Sequence, residues 1–112
     1  MENLSWEEFQ KVDIRTGTII EAEVFTEARN PAYKLRINFG EEIGILKSSA
    51  QITDLYSTVD LIGKQIVAVV NFPKKQIGPF MSECLVLGSV NAKGIVTLLQ
   101  TEQKTNNGDR IS

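Results

Sequence analysis

Residues 33–47 read Tyr33-Lys34-Leu35-Arg36-Ile37-Asn38-Phe39-Gly40-Glu41-Glu42-Ile43-Gly44-Ile45-Leu46-Lys47, and this stretch decides the fold class. Tyr33, Leu35, Ile37 and Phe39 alternate with Lys34, Arg36, Asn38 and Gly40, the period of a strand that buries one face and wets the other. Gly40-Glu41-Glu42 supplies a turn, so Ile43 to Lys47 is expected to return as a third strand in a hairpin with the second. An antiparallel β architecture is thereby predicted at the centre of the chain.

Working outward, Ile14, Thr16, Thr18, Ile20, Ala22 and Val24 alternate with Arg15, Gly17, Ile19, Glu21 and Glu23. That pattern predicts a long first strand with one buried face, bent at Gly17. Before it, Ser5 and Glu8 form an S-x-x-E capping box, with Leu4 and Phe9 in staple positions. A short helix is expected to start at Trp6 and to end by Val12. Residues 26–32 read as a loop.

On the other side, Thr58 to Ile62 ahead of Gly63 reads as a single helical turn, and Gln65 to Val70 as a fourth strand covered on both faces. Asn71 to Met81 reads as a loop, Glu83 to Val90 as the fifth strand, and Ile95 to Leu99 as another short strand. From Gln100 the chain is polar, with a turn at Asn106-Asn107-Gly108. Three strands, a helical insertion and two more strands is the order of an OB fold, an all-β five-stranded Greek-key barrel with minor helices. The expected organisation is one domain over 1–112, with an N-terminal helix in 1–12, the barrel in 13–90 and a C-terminal extension in 91–112.

The 112 residues suit one domain, and 42% hydrophobic with 23% charged residues is the balance of a soluble globular chain. The single cysteine, Cys84, excludes an internal disulfide and a multi-cysteine zinc site. The start lacks a basic, apolar leader and no apolar run reaches the roughly 20 residues of a membrane span, so a cytoplasmic location is expected. A net charge of −2 gives no overall attraction for polyanions. From Arg29 to Ser82, however, Arg29, Lys34, Arg36, Lys47, Lys64, Lys74 and Lys75 outnumber Glu41, Glu42, Asp54 and Asp60. One locally basic face is expected on an acidic protein.

Catalysis is disfavoured because there is no histidine to serve as base or to pair as a metal ligand. Glu7, Glu8, Glu41 and Glu42 sit in helix-start or turn contexts as solvated charges, and Gly63-Lys64 lacks the upstream glycine of a phosphate loop. A non-enzymatic binding protein without cofactor or metal is therefore expected. Cys84, beside Leu85, Val86 and Leu87, reads as a small buried hydrophobe. Lys74 and Lys75 are framed by Phe72, Pro73, Pro79, Phe80 and Met81. Cations interleaved with aromatic rings suit a nucleic-acid strand, and the same apolar groups suit an extended peptide. Leu4, Trp6 and Phe9 on a helix too short to stand alone must dock somewhere, either over the barrel end or in a homodimer seam, and the seam is the expectation.

Specific strings carry a resemblance. Val12-Asp13-Ile14-Arg15-Thr16-Gly17, Ile19-Ile20, Lys34-Leu35, Leu61-Ile62-Gly63-Lys64 and Met81-Ser82-Glu83 resemble the tRNA-binding domain found appended to several aminoacyl-tRNA synthetases and as free-standing dimers. The likeness runs from about Val12 to Ile111. Asn71-Phe72-Pro73-Lys74-Lys75-Gln76-Ile77-Gly78-Pro79-Phe80-Met81-Ser82-Glu83-Cys84-Leu85 is similar to the CsaA group of export-associated chaperones.

The resemblance implies an OB fold with extra terminal elements, a homodimer, and binding of tRNA or of unfolded, export-bound polypeptides. It puts Lys34, Lys74, Met81 and Ser82 at RNA-contacting positions. The RNA-binding set is then Lys34, Arg36, Lys74, Lys75 and Ser82, the peptide-binding set Phe72, Phe80 and Met81, and the dimer set Leu4, Trp6 and Phe9. A chaperone for unfolded or precursor polypeptides, with the export machinery and tRNA as further partners, is the expected function; a general tRNA-binding module is the alternative. Cys84 replaces a glycine common in synthetase-appended members, and Pro79-Phe80 replaces a glycine-centred basic segment. With few cations, RNA binding should be weak and fall steeply with salt, while a dimer doubles the sites for a long client.

Overall fold

In the computed structural model, which describes residues 1–112, the alternation at 33–39 folds as read, with Tyr33, Leu35, Ile37 and Phe39 all buried. The elements run α1 (Trp6–Gln10), β1 (Ile14–Val24), β2 (Tyr33–Asn38), β3 (Ile45–Ala50), α2 (Thr58–Leu61) and β4 (Gln65–Val69). They continue with β5 (Lys75–Ile77), β6 (Phe80–Ser82), β7 (Leu85–Val86), β8 (Gly88–Val90) and β9 (Val96–Leu98). Five strands make an antiparallel sheet in the order β3-β2-β1-β4-β7, and β5-β6 and β8-β9 form separate two-stranded ribbons. With β1 central and β3 curling toward the 82–86 segment, the sheet is a nearly closed five-strand barrel of the OB type. Ile19, Leu35, Ile37, Phe39, Leu61 and Ile66 fill it and are wholly enclosed.

Both helices begin where the capping chemistry dictates. The Ser5 hydroxyl accepts from the Glu8 N–H at 3.1 Å while Glu8 reaches back to the Ser5 N–H, and Ser57 with Asp60 repeats the device for α2. No helix is long and apolar enough to cross a membrane.

Several boundaries and faces differ from the sequence reading. β1 buries Thr16, Gly17 and Ile19, whereas Ile20 is exposed, because a bulge between Ile19 and Glu21 inserts one extra residue opposite β2. At Gly17 a Cβ would meet the Phe39 ring at 2.6 Å, so the glycine makes room for that ring. β3 starts at Ile45, later than expected. The Gly44 N–H donates to the Gly40 carbonyl and the Phe39 N–H to the Gly44 carbonyl, which stretches the turn over five residues.

The 71–81 stretch is not a simple loop, since β5 and β6 pair within it around Gly78-Pro79. The expected fifth strand is broken at Leu87 into β7 and β8, and β8 leaves the barrel to pair with β9.

The polar C-terminal stretch is a strap. β2 pairs with the 18–24 part of one β1 edge, and residues 108–111 take the rest. The Thr16 N–H donates to the Asp109 carbonyl at 3.0 Å, the Gly108 N–H to the Thr16 carbonyl at 2.8 Å, and the Ile111 N–H to the Ile14 carbonyl at 2.9 Å. Thr105 and Gln65 exchange two further bonds across the barrel end.

The barrel's last gap, between β3 and residues 82–84, is stitched largely by side chains. The Glu83 N–H donates to the Lys47 carbonyl at 2.7 Å, the Lys47 N–H to Glu83 Oε1 at 2.9 Å, and the Ser49 N–H to Ser82 Oγ at 3.1 Å. The Ser48 hydroxyl donates to the Cys84 carbonyl at 2.9 Å.

Candidate functional site

Because that seam is not a continuous ladder, the barrel wall is hollow beside it. A cavity of about 630 Å³ opens between the end of β3, the β5-β6 ribbon and the β7-β8-β9 segment. This is within the roughly 300–1,000 Å³ range of ligand sites. Ile52, Cys84 and Val86 form its inner part with Ile77 and Val96, and Phe72, Leu85 and Val90 stand exposed around it. Lys75 is its only charged lining residue, and no carboxylate lines it. Apolar side chains clustered at the surface in this way make the cavity a candidate interaction site.

Cys84 is buried, as its apolar neighbours imply. Burial pushes its thiol up from 9.0 to about 12, against the opposing pull of the Ser48 hydroxyl. The native protein is therefore expected to resist a thiol-labelling reagent at neutral pH and to react once unfolded in urea; equal labelling of both states would contradict a buried thiol. The folded thiol keeps its proton at a pH where the unfolded one has lost it. Its contribution to stability is thus intact below pH 9.0 and declines as pH rises from there toward about 12. The decline is about 1.4 kcal/mol per pH unit at most.

A second hollow of about 530 Å³ lies on the outer face of β1, β2 and β3, lined by Glu21, Glu23, Lys34, Arg36, Lys47 and Phe80 among others. The register places Arg36 opposite both Glu21 and Lys47, and Lys34 opposite Glu23. Phe80 meets Phe25 edge to face at 5.4 Å between centroids. Lys34 Nζ lies 5.6 Å from the Phe25 ring and 6.0 Å from Phe80, and Lys47 Nζ lies 5.3 Å from Phe80. Lys34 also pairs with Glu23 at 3.4 Å and Arg36 with Glu21 at 3.3 Å. Exposed pairs of this kind hold by only about 0–1 kcal/mol, so a phosphate could displace the glutamates.

The residues singled out by sequence separate onto these two flanks. Phe72, Lys75 and Ser82 line the apolar groove, while Lys34, Arg36 and Phe80 line the basic face. Met81 lines neither; it is half-buried and pairs with Gln76 in the ribbon. Lys74 is engaged with Glu83 at 3.4 Å. Leu4 and Trp6 are 65% and 64% exposed, and the Trp6 and Phe9 rings lie 5.7 Å apart on a helix that buries no residue.

Sequence reasoning missed Ile52, Val86, Val90 and Val96 of the groove and Phe25 of the basic face, and it counted Lys47 among the basic stretch without placing it in the RNA-binding set. The Arg36–Lys47 register would have found Lys47 once the hairpin turn was read at its true length.

A barrel with an apolar groove on one flank and cations over aromatic rings on another belongs to the OB class of binding modules. The chain belongs to the family described as "Putative tRNA binding domain", which it matches over residues 14–110. It is 32% identical over 108 residues to the methionine–tRNA ligase of Methanococcoides burtonii, a match covering 96% of this chain and 16% of that protein. The chain thus spans a small part of the length of the curated relatives it matches.

Its fold is similar to the crystal structure of the chaperone CsaA from Bacillus anthracis, with a TM-score of 0.94 and 52% identity over 99% of this chain and 100% of that one. It is also similar to the CsaA chaperone protein from Picrophilus torridus, with a TM-score of 0.91 and 50% identity over 98% and 100%.

Proposed function

We propose that the chain is a CsaA-like, non-enzymatic chaperone that holds unfolded or export-bound polypeptide segments in the groove beside the β3 seam. The observation that carries this reading is the groove itself: about 630 Å³, dominated by apolar side chains, bearing one cation and no carboxylate, with Phe72 54% exposed in its wall. Both structures similar at half identity are described as chaperones. The proposal includes work in the cytoplasm as a homodimer joined through Leu4, Trp6 and Phe9, whose exposed apolar surface needs cover. Sedimentation at monomer mass over a wide concentration range would remove that part.

The test of the groove is suppression of client aggregation. Phe72→Ser combined with Val90→Ser is expected to weaken suppression roughly tenfold or more, since burying one large apolar side chain is worth about 1.5–3 kcal/mol. Both residues are exposed, so the melting temperature should stay near that of the unmodified protein. Undiminished suppression by the double variant would count against the groove.

A second reading, tRNA binding, is favoured by Lys34 and Lys47 over the Phe80 ring, with Arg36 lining the same hollow. With two of the three cations sharing glutamates, binding should be weak, with a log-log salt slope of about −2 to −3. Lys47→Glu is expected to abolish retention of tRNA at low salt and to leave client suppression unchanged. Lys75 and Ser82 then serve the groove rather than RNA, Lys74 is held by Glu83, and the export machinery remains a candidate recipient of the client.

A further inference from the structure

Just past the end of β3 the chain leaves backbone groups open inside the groove. Along the seam, the Lys47 N–H and C=O are both satisfied, by Glu83, and the Ser49 N–H is satisfied by the Ser82 hydroxyl. Two residues on, the Gln51 N–H and C=O make no hydrogen bond within the chain, and Gln51 lines the groove. Backbone groups alternate along an antiparallel strand, and that alternation, carried one residue past Ala50, turns those of Gln51 toward the seam, as at Lys47 and Ser49. The stitching side chains of Ser82 and Glu83 end before this point. An unpaired strand edge bordered by apolar pockets has the chemistry that receives another extended chain.

Charge narrows the occupant. Lys75 makes no salt bridge and is the only ion in the lining, so the site complements a segment bearing a carboxylate. An RNA strand cannot supply the alternating N–H and C=O groups that the open edge would pair with.

We propose that the client binds by strand addition: an extended polypeptide extends the barrel along residues 49–51, pairing with Gln51. Its alternate apolar side chains enter the groove past Phe72, and an acidic group meets Lys75. This rests on the reading of the groove as a polypeptide site and adds the mode and the charge of the segment. Apolar contact alone would tolerate any backbone, whereas strand addition requires the ligand's amide hydrogens in one register only.

The experiment uses the unmodified protein and a short fluorescent peptide of alternating valine and serine ending in aspartate, followed by anisotropy. N-methylation of one alternate set of its amides is expected to weaken binding roughly tenfold, because each lost hydrogen bond is worth about 0.5–1.5 kcal/mol. Methylation of the other set should leave affinity unchanged. Lys75→Glu should reverse the preference between this peptide and one ending in lysine.

Equal affinity for both methylated forms and the parent would overturn strand addition while leaving the groove as a binding site. No binding of the parent peptide, together with no suppression of client aggregation, would overturn the chaperone reading itself. Peptide affinity that falls as protein concentration and sedimenting mass rise would show that a second copy fills the groove, and would overturn the proposal too.

Discussion

Gly17→Ala is expected to cost the protein about 3 kcal/mol, a large fraction of the roughly 5–15 kcal/mol that holds a domain of this kind together. A Cβ at this position would lie 2.6 Å and 2.7 Å from two carbons of the Phe39 ring and 2.8 Å from Ile37 Cγ2. Both neighbours are wholly enclosed, in an interior packed too tightly to yield by such distances. Phe39 cannot swing aside easily, because its ring sits in the core cluster with Leu35, Ile37, Leu61 and Ile66 and has no open space to enter.

Urea unfolding followed by circular dichroism measures the loss. Gly44→Ala is the control: it meets nothing within 4 Å but sits at φ +86, so only backbone strain of about 1–2 kcal/mol applies. Trimming the ring with Phe39→Leu in the Gly17→Ala background should recover part of the deficit. A Gly17→Ala midpoint equal to the unmodified one would show that the ring is not clamped.

The same residue shows where sequence reading reached its limit. A period-two pattern tells which residues alternate, not which set faces in once a bulge intervenes, and Ile20 is the inserted residue that flips the faces of β1. β2 was legible because Leu35, Ile37 and Phe39 carry an unbroken alternation through the barrel centre. The helix starts were legible because Ser5 and Glu8 act locally.

The β5-β6 ribbon was not legible, since of its three pairs only Ile77 with Phe80 is apolar on both sides, too little for an alternation. That ribbon also separates the site. Phe72 and Phe80 are close neighbours in sequence, yet the chain between them doubles back, sending one ring to the groove and the other onto Phe25. The groove's far wall comes from Val86, Val90 and Val96, which meet Phe72 only through tertiary packing that no local pattern encodes. The basic middle third did mark real neighbours, Lys34, Arg36 and Lys47. Their ion pairs with Glu21 and Glu23 depend on the post-bulge register and so lay beyond a count of charges.

Gly40→Ala and Gly108→Ala should each destabilise by about 3 kcal/mol, and the double variant by clearly less than the sum. The two glycines face each other's backbone where the strap crosses the β2-β3 turn. A Cβ on Gly40 would lie 2.7 Å from the Asn107 carbonyl oxygen, and one on Gly108 would lie 2.6 Å from that of Phe39. Main-chain oxygens cannot move aside as a side-chain tip does, so either alanine must lift the strap. Lifting it breaks the bonds from Gly108 to Thr16 and from Thr16 to Asp109. Each alanine also carries the strain of φ near +90, at +89 and +93, about 1–2 kcal/mol. Once the strap is lifted by one substitution, the second meets no clash and adds only its own strain. A double-mutant cycle in urea should therefore show a coupling of about 1–2 kcal/mol. Amide exchange at Thr16 and Ile111 should accelerate in either single variant, because those hydrogens are held by the strap contacts. Full additivity, with exchange at both amides unchanged, would mean that the strap stays seated and that the two glycines answer to separate constraints.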